Sequence, residues 1–480
     1  MPIKIAGYNI DADLLERFKT FLTKLDEIGD LDQVEYIPDL RSFLAEDNLT
    51  PETLSAAYAR ISRYPDSVSE LRKIARQSVA RARRSNRKIV FDMGHASVAE
   101  HAVFNIDITG VSRLAIETIE ARRLISFTEK SQRYIALSPS YIIPLELTGA
   151  PLGVELEELC EFLFNAYHDY LGKLEDYFER KAGQSAKLSA QEDARYLLPL
   201  ASGAQLGMTA NARNIEHLLR RTLRHPLIEL RQFADELKNG VIKIVPSLIR
   251  HLETEDLEVE FNPESFSGEV PADEVQLLHS TENADDVLLT ALIFAVEGFS
   301  WENARMKSEG MKEEDKRLFV RKNLENLKRF HTLPRAYETV EFAFQVTLSA
   351  TAYAQLKRHR LTTQLVQPYH PDLGYTLPKS IEEAGLNEDF NQKMNAAAKL
   401  YREISAEYPY CAPYALTNAH RRVVYLQANA RELHHIARLR MDKTAQWDIR
   451  AIVTDMVNLA RKRAPLTMAL TSGKDEFTID

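Results

Sequence analysis

The sequence predicts a helix-rich α+β fold made of two tandem copies of one unit. Three observations point there. Gly and Pro number only 17 and 19 in 480 residues, which leaves long stretches free to run as helix. Short alternating segments such as Ile3-Lys4-Ile5-Ala6-Gly7-Tyr8 stand among helix-periodic ones. A series of local patterns returns, in the same order, in the second half of the chain, and preserved order is a poor product of chance.

Taking the elements in order, Ile3 to Tyr8 reads as a strand, followed by a helical pattern through Leu14, Leu15, Phe18, Phe21, Leu22 and Leu25. Thr50-Pro51-Glu52 is a helix start, with Thr50 able to cap and Pro51 placed where its missing N–H does no harm. Helices are expected over 54–62, 68–85 and 112–119, and the run from Gly94 ends as an alternating strand through Phe104, Ile106 and Ile108. A loop and short strand follow at 138–144. Longer apolar periods predict helices over 156–178, broken near Gly183, and over 228–244, while Asn211 caps a helix that puts Arg213 and His217 on one face. The acidic stretch 253–274, with Pro263, Gly268 and Pro271, is the expected linker between copies spanning 1–252 and 275–480.

The repeat is specific. Gly110-Val111-Ser112 through Arg122-Arg123 is echoed by Leu348-Ser349-Ala350 through His359-Arg360, and Tyr141-Ile142-Ile143-Pro144 by Tyr375-Thr376-Leu377-Pro378. Thr209 to Arg213 is echoed by Gln427 to Arg431, and Glu229-Leu230-Arg231 by Asp448-Ile449-Arg450, with Pro246 and Pro465 closing the corresponding helices.

Composition bounds the function. Hydrophobic residues make up 45%, enough core for roughly three average domains. The formal charge of −9 and a pI near 5.9 speak against a general nucleic-acid binder. The basic cluster Arg81-Ala82-Arg83-Arg84 reads first as a solvated helix face and second as a local anion site. Cys160 and Cys411 are the only cysteines, which excludes a disulfide framework and a Cys-rich zinc site and fits a reducing cytoplasm. No segment reaches the roughly 18 apolar residues of a membrane span, so a soluble, untargeted protein is expected.

One stretch reads as a site. From Ala121 to Tyr134 the chain carries Arg122, Arg123 and Arg133, the carboxylate of Glu129, and the hydroxyls of Ser126 and Ser131, and after Ile125 it alternates polar and bulky groups. Guanidinium and hydroxyl groups together hold phosphates or carboxylates through charge-assisted hydrogen bonds. His95, Glu100 and His101 invite a metal reading, but their spacing misses the i, i+4 histidine pair of a helical metal site, and no metal is expected.

These residues carry a resemblance. The run Ser126-x-x-Glu129-x-Ser131-x-Arg133-Tyr134 resembles the second part of the R-H-R-x-x-S-x-N-E-x-S-x-R-Y signature of flavin-dependent thymidylate synthases. The second copy carries the first part, Arg358-His359-Arg360, preceded by Gln355. Asn429-Ala430-Arg431-Glu432, Leu439-Arg440 and Ala445-Gln446-Trp447-Asp448 are similar to that family's C-terminal block, and Gly94-His95 with Glu100-His101 to its upstream block.

Each copy departs from the pattern. In the first, Ala121 and Arg122 replace Arg-His, Thr128 replaces Asn, and the Leu-Arg position near Arg221 is out of register. In the second, Val366, Pro368, His370 and Pro371 replace Glu, Ser, Arg and Tyr, and Pro413 stands where the first copy has Arg195. The losses are complementary.

The resemblance implies two copies of helices with an antiparallel sheet, and a single composite site for reductive methylation of dUMP to dTMP with FAD, NADPH and methylenetetrahydrofolate. It implies Arg440 as the catalytic residue, stabilising charge on the uracil ring. It assigns Gln355, Arg358, Glu129, Ser131, Arg133 and Arg195 to the nucleotide substrate. It gives His95, Ser97, Glu100, Arg358, His359, Arg360, Asn429, Arg431 and His435 to the flavin. It also implies a homodimer of tandem chains, a pseudo-tetramer. The rival expectation is a catalytically silent nucleotide- or flavin-binding homologue; a flavoenzyme acting on another uracil-containing substrate stands third.

Overall fold

The computed structural model describes residues 2–28, 49–182, 186–253, 269–328 and 331–476. Most of the expected linker, residues 254–268, lies outside them, as does the expected break near Gly183.

Two four-stranded antiparallel sheets are built alike. In the first, β1 (Ile3–Tyr8), β2 (Val103–Ser112), β3 (Ser126–Glu129) and β4 (Gly203–Asn211) lie in the order β1-β2-β4-β3. In the second, β5 (Val275–Ser280), β6 (Glu341–Ser349), β7 (Thr363–Val366) and β8 (Arg421–Asn429) lie in the order β5-β6-β8-β7. Registers correspond: Phe104 faces Ala210 as Phe342 faces Ala428, and Ser126 faces Thr209 as Thr363 faces Gln427. β2 has 10 residues against 9 in β6. The ladder is interrupted between Thr109 and Val111, where Gly110 sits at φ +64°, a conformation that glycine adopts without a Cβ clash.

Alternation sets which face is buried. On β2, Phe104, Ile106 and Ile108 point inward while Asn105 and Asp107 face solvent. The helix Ile228–Ile244, matching its expected limits, covers this sheet's unit with Leu230, Phe233, Leu237 and Val241. In the second sheet's unit, Phe342, Phe344, Val424 and Leu426 pack with Leu433, Ile436, Ile452 and Met456 in one core.

Compactness does not follow the sequence boundary between copies. One compact unit comprises Met1–Ser131, Pro144–Thr148 and Gly203–Val259; the other comprises Gln132–Ile143, Gly149–Ser202 and Glu260–Asp480. The long helix Pro151–Ala182 and the turn at Arg195–Leu197, first-copy segments, therefore belong to the second unit. Tyr167, Tyr170 and Leu197 share a core with Ile381, Phe390 and Met394. Each large apolar side chain so buried contributes about 1.5–3 kcal/mol. Backbone bonds reinforce the graft: Leu200 N–H donates to Leu416 C=O at 2.8 Å, Asn418 N–H to Leu198 C=O at 2.9 Å and Ala419 N–H to Tyr196 C=O at 3.1 Å.

Two expectations shift. The single helix read over 68–85 is two, Val68–Arg76 and Val79–Arg87, because Ser78 leaves helical geometry and caps the second by accepting from Arg81 N–H. The helix expected to start at Pro51 after a Thr50 cap instead begins at Glu52 with Pro51 in the cap position; Thr50 Oγ1 still accepts from Glu52 N–H at 3.2 Å, from one residue before the cap.

Candidate functional site

The second unit gathers arginines from both copies: Arg133, Arg195, Arg358 and Arg440. β6 ends at Ser349, whose Oγ accepts from Ala352 N–H at 3.0 Å and so starts the helix Ala350–Leu356, which carries Gln355. The chain then turns tightly, His359 N–H donating to Leu356 C=O at 3.0 Å. β8 ends at Asn429, which accepts from Glu432 N–H at 2.9 Å and starts the helix Ala430–Arg440. That helix buries Leu433, Ile436 and Ala437 and delivers Arg440 at its last position.

Arg440 Nε donates to His359 Nε2 at 3.0 Å, and its Nη2 to Gln355 C=O at 3.1 Å. For Nε2 to accept, the buried imidazole must be neutral with its proton on Nδ1, the nitrogen that faces Glu432 Oε1 at 3.6 Å. Burial, then the nearby Arg440, holds His359 well below the ordinary histidine value, which favours the neutral ring. Burial, then Arg358 and Arg133, pulls the Arg440 guanidinium down to about 10. Among the described residues Arg440 has no carboxylate within salt-bridge distance, so an anion arriving here meets a partly desolvated, uncompensated cation.

Two first-copy arginines stand in the same unit. Arg133 pairs through Nε with the Glu192 carboxylate and donates from Nη2 to Thr444 C=O at 2.7 Å, in the turn that follows Arg440. Arg195 is 7% exposed and donates from Nε to the Glu192 C=O at 3.1 Å, while Asn418 Nδ2 donates to both Arg195 C=O and Gln132 Oε1 at 3.0 Å. Among the described residues, Arg195 Nη2 and Gln355 Nε2 are buried donors with no hydrogen-bond partner. A buried donor left unpaired costs about 1–3 kcal/mol, which a bound acceptor would recover.

A rigid frame lies under the arginines. Tyr196 stacks on Trp447 with centroids 5.7 Å apart and donates to Asp448 Oδ2 at 2.8 Å. Asp193 accepts from Trp447 Nε1 at 2.7 Å and from Ser380 Oγ at 2.5 Å, and burial pushes its carboxyl up to about 6.

The remaining candidate residues divide by unit. In the second, Arg358 and His435 are exposed, with the His435 ring edge-on to His359 at 5.8 Å, and Arg360 is half-buried. Arg431 is committed to Leu333 C=O and Glu338 Oε1, both at 2.7 Å, and to Thr332 Oγ1 at 3.3 Å. In the first unit, Glu129 and Ser131 sit at and just beyond the end of β3. Glu129 lies 4.0 Å from the nearly sealed Arg113, itself 3.5 Å from Glu117. His95 and Ser97 are exposed, and Glu100 pairs with Arg213. No metal-binding cluster occurs among the described residues. Sequence reasoning missed Glu192, Asn418, Thr444 and Arg113; only Glu192 left a trace, three residues before Arg195.

A family model described as thymidylate synthase complementing protein matches residues 44–247 and again 276–466. The chain belongs to that family. As a tandem member of the thymidylate synthase complementing protein family, it is 28% identical over 407 residues to a UPF0159 protein of Chlamydia muridarum, covering 77% of each chain. It is 25% identical over 457 residues to the UPF0159 protein Ta1429 of Thermoplasma acidophilum, covering 84% of this chain and 91% of the relative. It is also 29% identical over 217 residues to the flavin-dependent thymidylate synthase of Clostridium tetani, which spans 43% of this chain and 84% of that enzyme.

Matched helices sharpen the comparison between copies. Ala212–Thr222 and Ala430–Arg440 each have 11 residues and start from an Asn cap, so Thr222, not Arg221, occupies the position of Arg440. Thr222 is sealed, donating to its own helix at Leu218 C=O. His370, which replaces the arginine of the first copy, caps a short turn by accepting from Asp372 N–H at 3.2 Å.

Proposed function

We propose that this protein methylates dUMP reductively to dTMP, with FAD as cofactor and NADPH and methylenetetrahydrofolate as co-substrates, at one composite site. The observation that carries the reading is the gathering of Arg133 and Arg195 from one copy with Gln355, Arg358, His359 and Arg440 from the other inside a single compact unit. The donor set fits phosphorylated and ring-anionic ligands: the orphaned Arg195 Nη2 and Gln355 Nε2 want acceptors, and Arg440 wants an anion. Bound FAD supplies the hydride that the methylation requires. Arg133 and Arg195 bind the nucleotide, Arg440 stabilises negative charge developing on the uracil, and neutral His359 fixes the Arg440 guanidinium in plane. No thiolate is called on; Cys160 is sealed in a helix and burial pushes its thiol up to about 12.

Deuterium release from 5-deuterated dUMP by the flavin-loaded protein tests this. Flavin-dependent release is expected; no release with bound flavin would transfer the reading to a catalytically silent nucleotide- or flavin-binding protein. That second reading draws on the departures in both copies and on the UPF0159 relatives. Two chains supply four family units, so light scattering is expected to report a dimer.

A further inference from the structure

The two first-copy arginines sit on separate segments, and two side chains tie those segments together. Glu192 is one: its carboxylate pairs with Arg133 Nε and its C=O accepts from Arg195 Nε at 3.1 Å. The other comes from the second copy. Asn418 Nδ2 donates at 3.0 Å both to Arg195 C=O and to the Oε1 of Gln132, the residue next to Arg133.

Asn418 is held firmly for that task. It is 1% exposed, its N–H donates to Leu198 C=O at 2.9 Å, and its C=O accepts from Thr351 N–H at 3.1 Å. With Nδ2 facing two oxygens the orientation of the amide is settled, and Oδ1 is left buried with no hydrogen-bond partner among the described residues. A sealed acceptor without a donor costs about 1–3 kcal/mol, so this amide is not the most stable choice for its place.

The first copy shows that the fold does not require it. Counting forward from Arg195 and Pro413, or back from the caps Asn211 and Asn429, puts Leu200 at the position of Asn418, and the two segments meet at the antiparallel bridge between Pro199 and Thr417. Leu200 is sealed and apolar. Gln132 is matched in the same way by Tyr369, next to His370, and Tyr369 is also sealed. Both members of the clamp are therefore amides on the side that keeps its arginines, and apolar or aromatic on the side that has lost them. The amide pair goes with the arginines and not with the scaffold.

We propose that Asn418 is a positioning residue, by which the second copy sets the spacing of Arg133 and Arg195 for nucleotide binding. The assignment rests on the thymidylate reading only for the identity of the ligand.

Two readouts on the full chain test it, using Asn418→Leu, which installs the first copy's residue. The first needs no ligand: nitrogen-15 spectra of the arginine Nε–H groups, with Arg133 and Arg195 assigned by Arg133→Lys and Arg195→Lys. Asn418→Leu is expected to shift or broaden those two signals and to leave that of Arg440 in place. The second is calorimetry with dUMP. Asn418→Leu and Arg195→Lys are each expected to weaken binding by roughly tenfold or more, and the double variant to be no more than about threefold weaker than the worse single one, because both act through the same guanidinium. A purely structural role would instead lower the melting temperature and multiply with Arg195→Lys. Should Asn418→Leu not fold, Gln132→Ala, at a half-buried position, carries the same two readouts. Unchanged arginine signals, dUMP binding within threefold of wild type, or fully multiplicative losses overturn the proposal. Wild type that binds no dUMP, with the Arg133 and Arg195 signals still moved by Asn418→Leu, strikes the thymidylate reading and upholds the positioning.

Discussion

The two copies keep the same scaffold contacts and differ at the chemistry. In the first, Ser112 Oγ donates to Glu229 at 2.8 Å while capping its helix; in the second, Ser349 Oγ donates to Asp448 at 2.5 Å in the same role. Glu100 pairs with Arg213 as Glu338 pairs with Arg431, and Asn211 caps as Asn429 does. Yet the helix that ends on Arg440 in one copy ends on the sealed Thr222 in the other. Caps and buried carboxylates hold the strand-to-helix joints and tolerate little change, whereas, under the proposed composite site, a ligand-facing position is released once the other copy supplies the ligand's partner.

The comparison is most easily broken at Arg440. Arg440→Ala is expected to lower dUMP-dependent deuterium release by roughly 10²- to 10³-fold, the scale for removing one preorganised donor to a developing charge. Thr222→Ala, at the matching place, is expected to leave it unchanged. Comparable losses from both would mean that the copies share the chemistry.

The scaffold contacts make the opposite prediction. Ser112→Ala and Ser349→Ala each take one hydrogen-bond donor from a buried carboxylate and remove a cap, and each is expected to cost about 1–3 kcal/mol in denaturant melts. A loss confined to one would show that the joints are not equivalent.

The frame under Arg195 is pH-sensitive. A carboxyl raised from 3.8 to about 6 in the folded state binds its proton more tightly there than when unfolded, so its contribution to stability is present below about pH 4 and lost as pH rises through 6. The shift corresponds to on the order of 3 kcal/mol at most. Relative to Asp193→Asn, the wild type should therefore gain thermal stability as pH falls from 7 to 4; a flat difference would show that Asp193 does not titrate there.

Smallest is the effect at the paired surface ions. Glu100→Gln and Glu338→Gln are each expected to change stability by about 0–1 kcal/mol, because the charges they pair are partly solvated.

Local structure was legible in the sequence where period and caps agree, as in the strand Ile3–Tyr8, the helix Ile228–Ile244 and the Asn211 cap. The residues of the arginine cluster were legible as types in a family pattern. Their partners were not: Arg440 and His359 lie 81 positions apart, and Arg133 reaches a backbone carbonyl 311 positions away. Nor does the pattern of helix Pro151–Ala182 say that its buried tyrosines will join a core of the other copy, since an amphipathic face specifies burial and not the partner. Ser78 hid a helix break because a serine inside a helical period is an ordinary surface residue until its hydroxyl turns to cap.

Calorimetry with dUMP on four single variants tests the composite site most directly. Arg440→Ala and Arg133→Ala are expected to weaken binding by roughly 10- to 1000-fold, while Thr222→Ala and His370→Ala change it little beyond any loss of stability seen in parallel melts. If Thr222→Ala or His370→Ala weakened dUMP binding as much as Arg440→Ala and Arg133→Ala, a single asymmetric site would be contradicted.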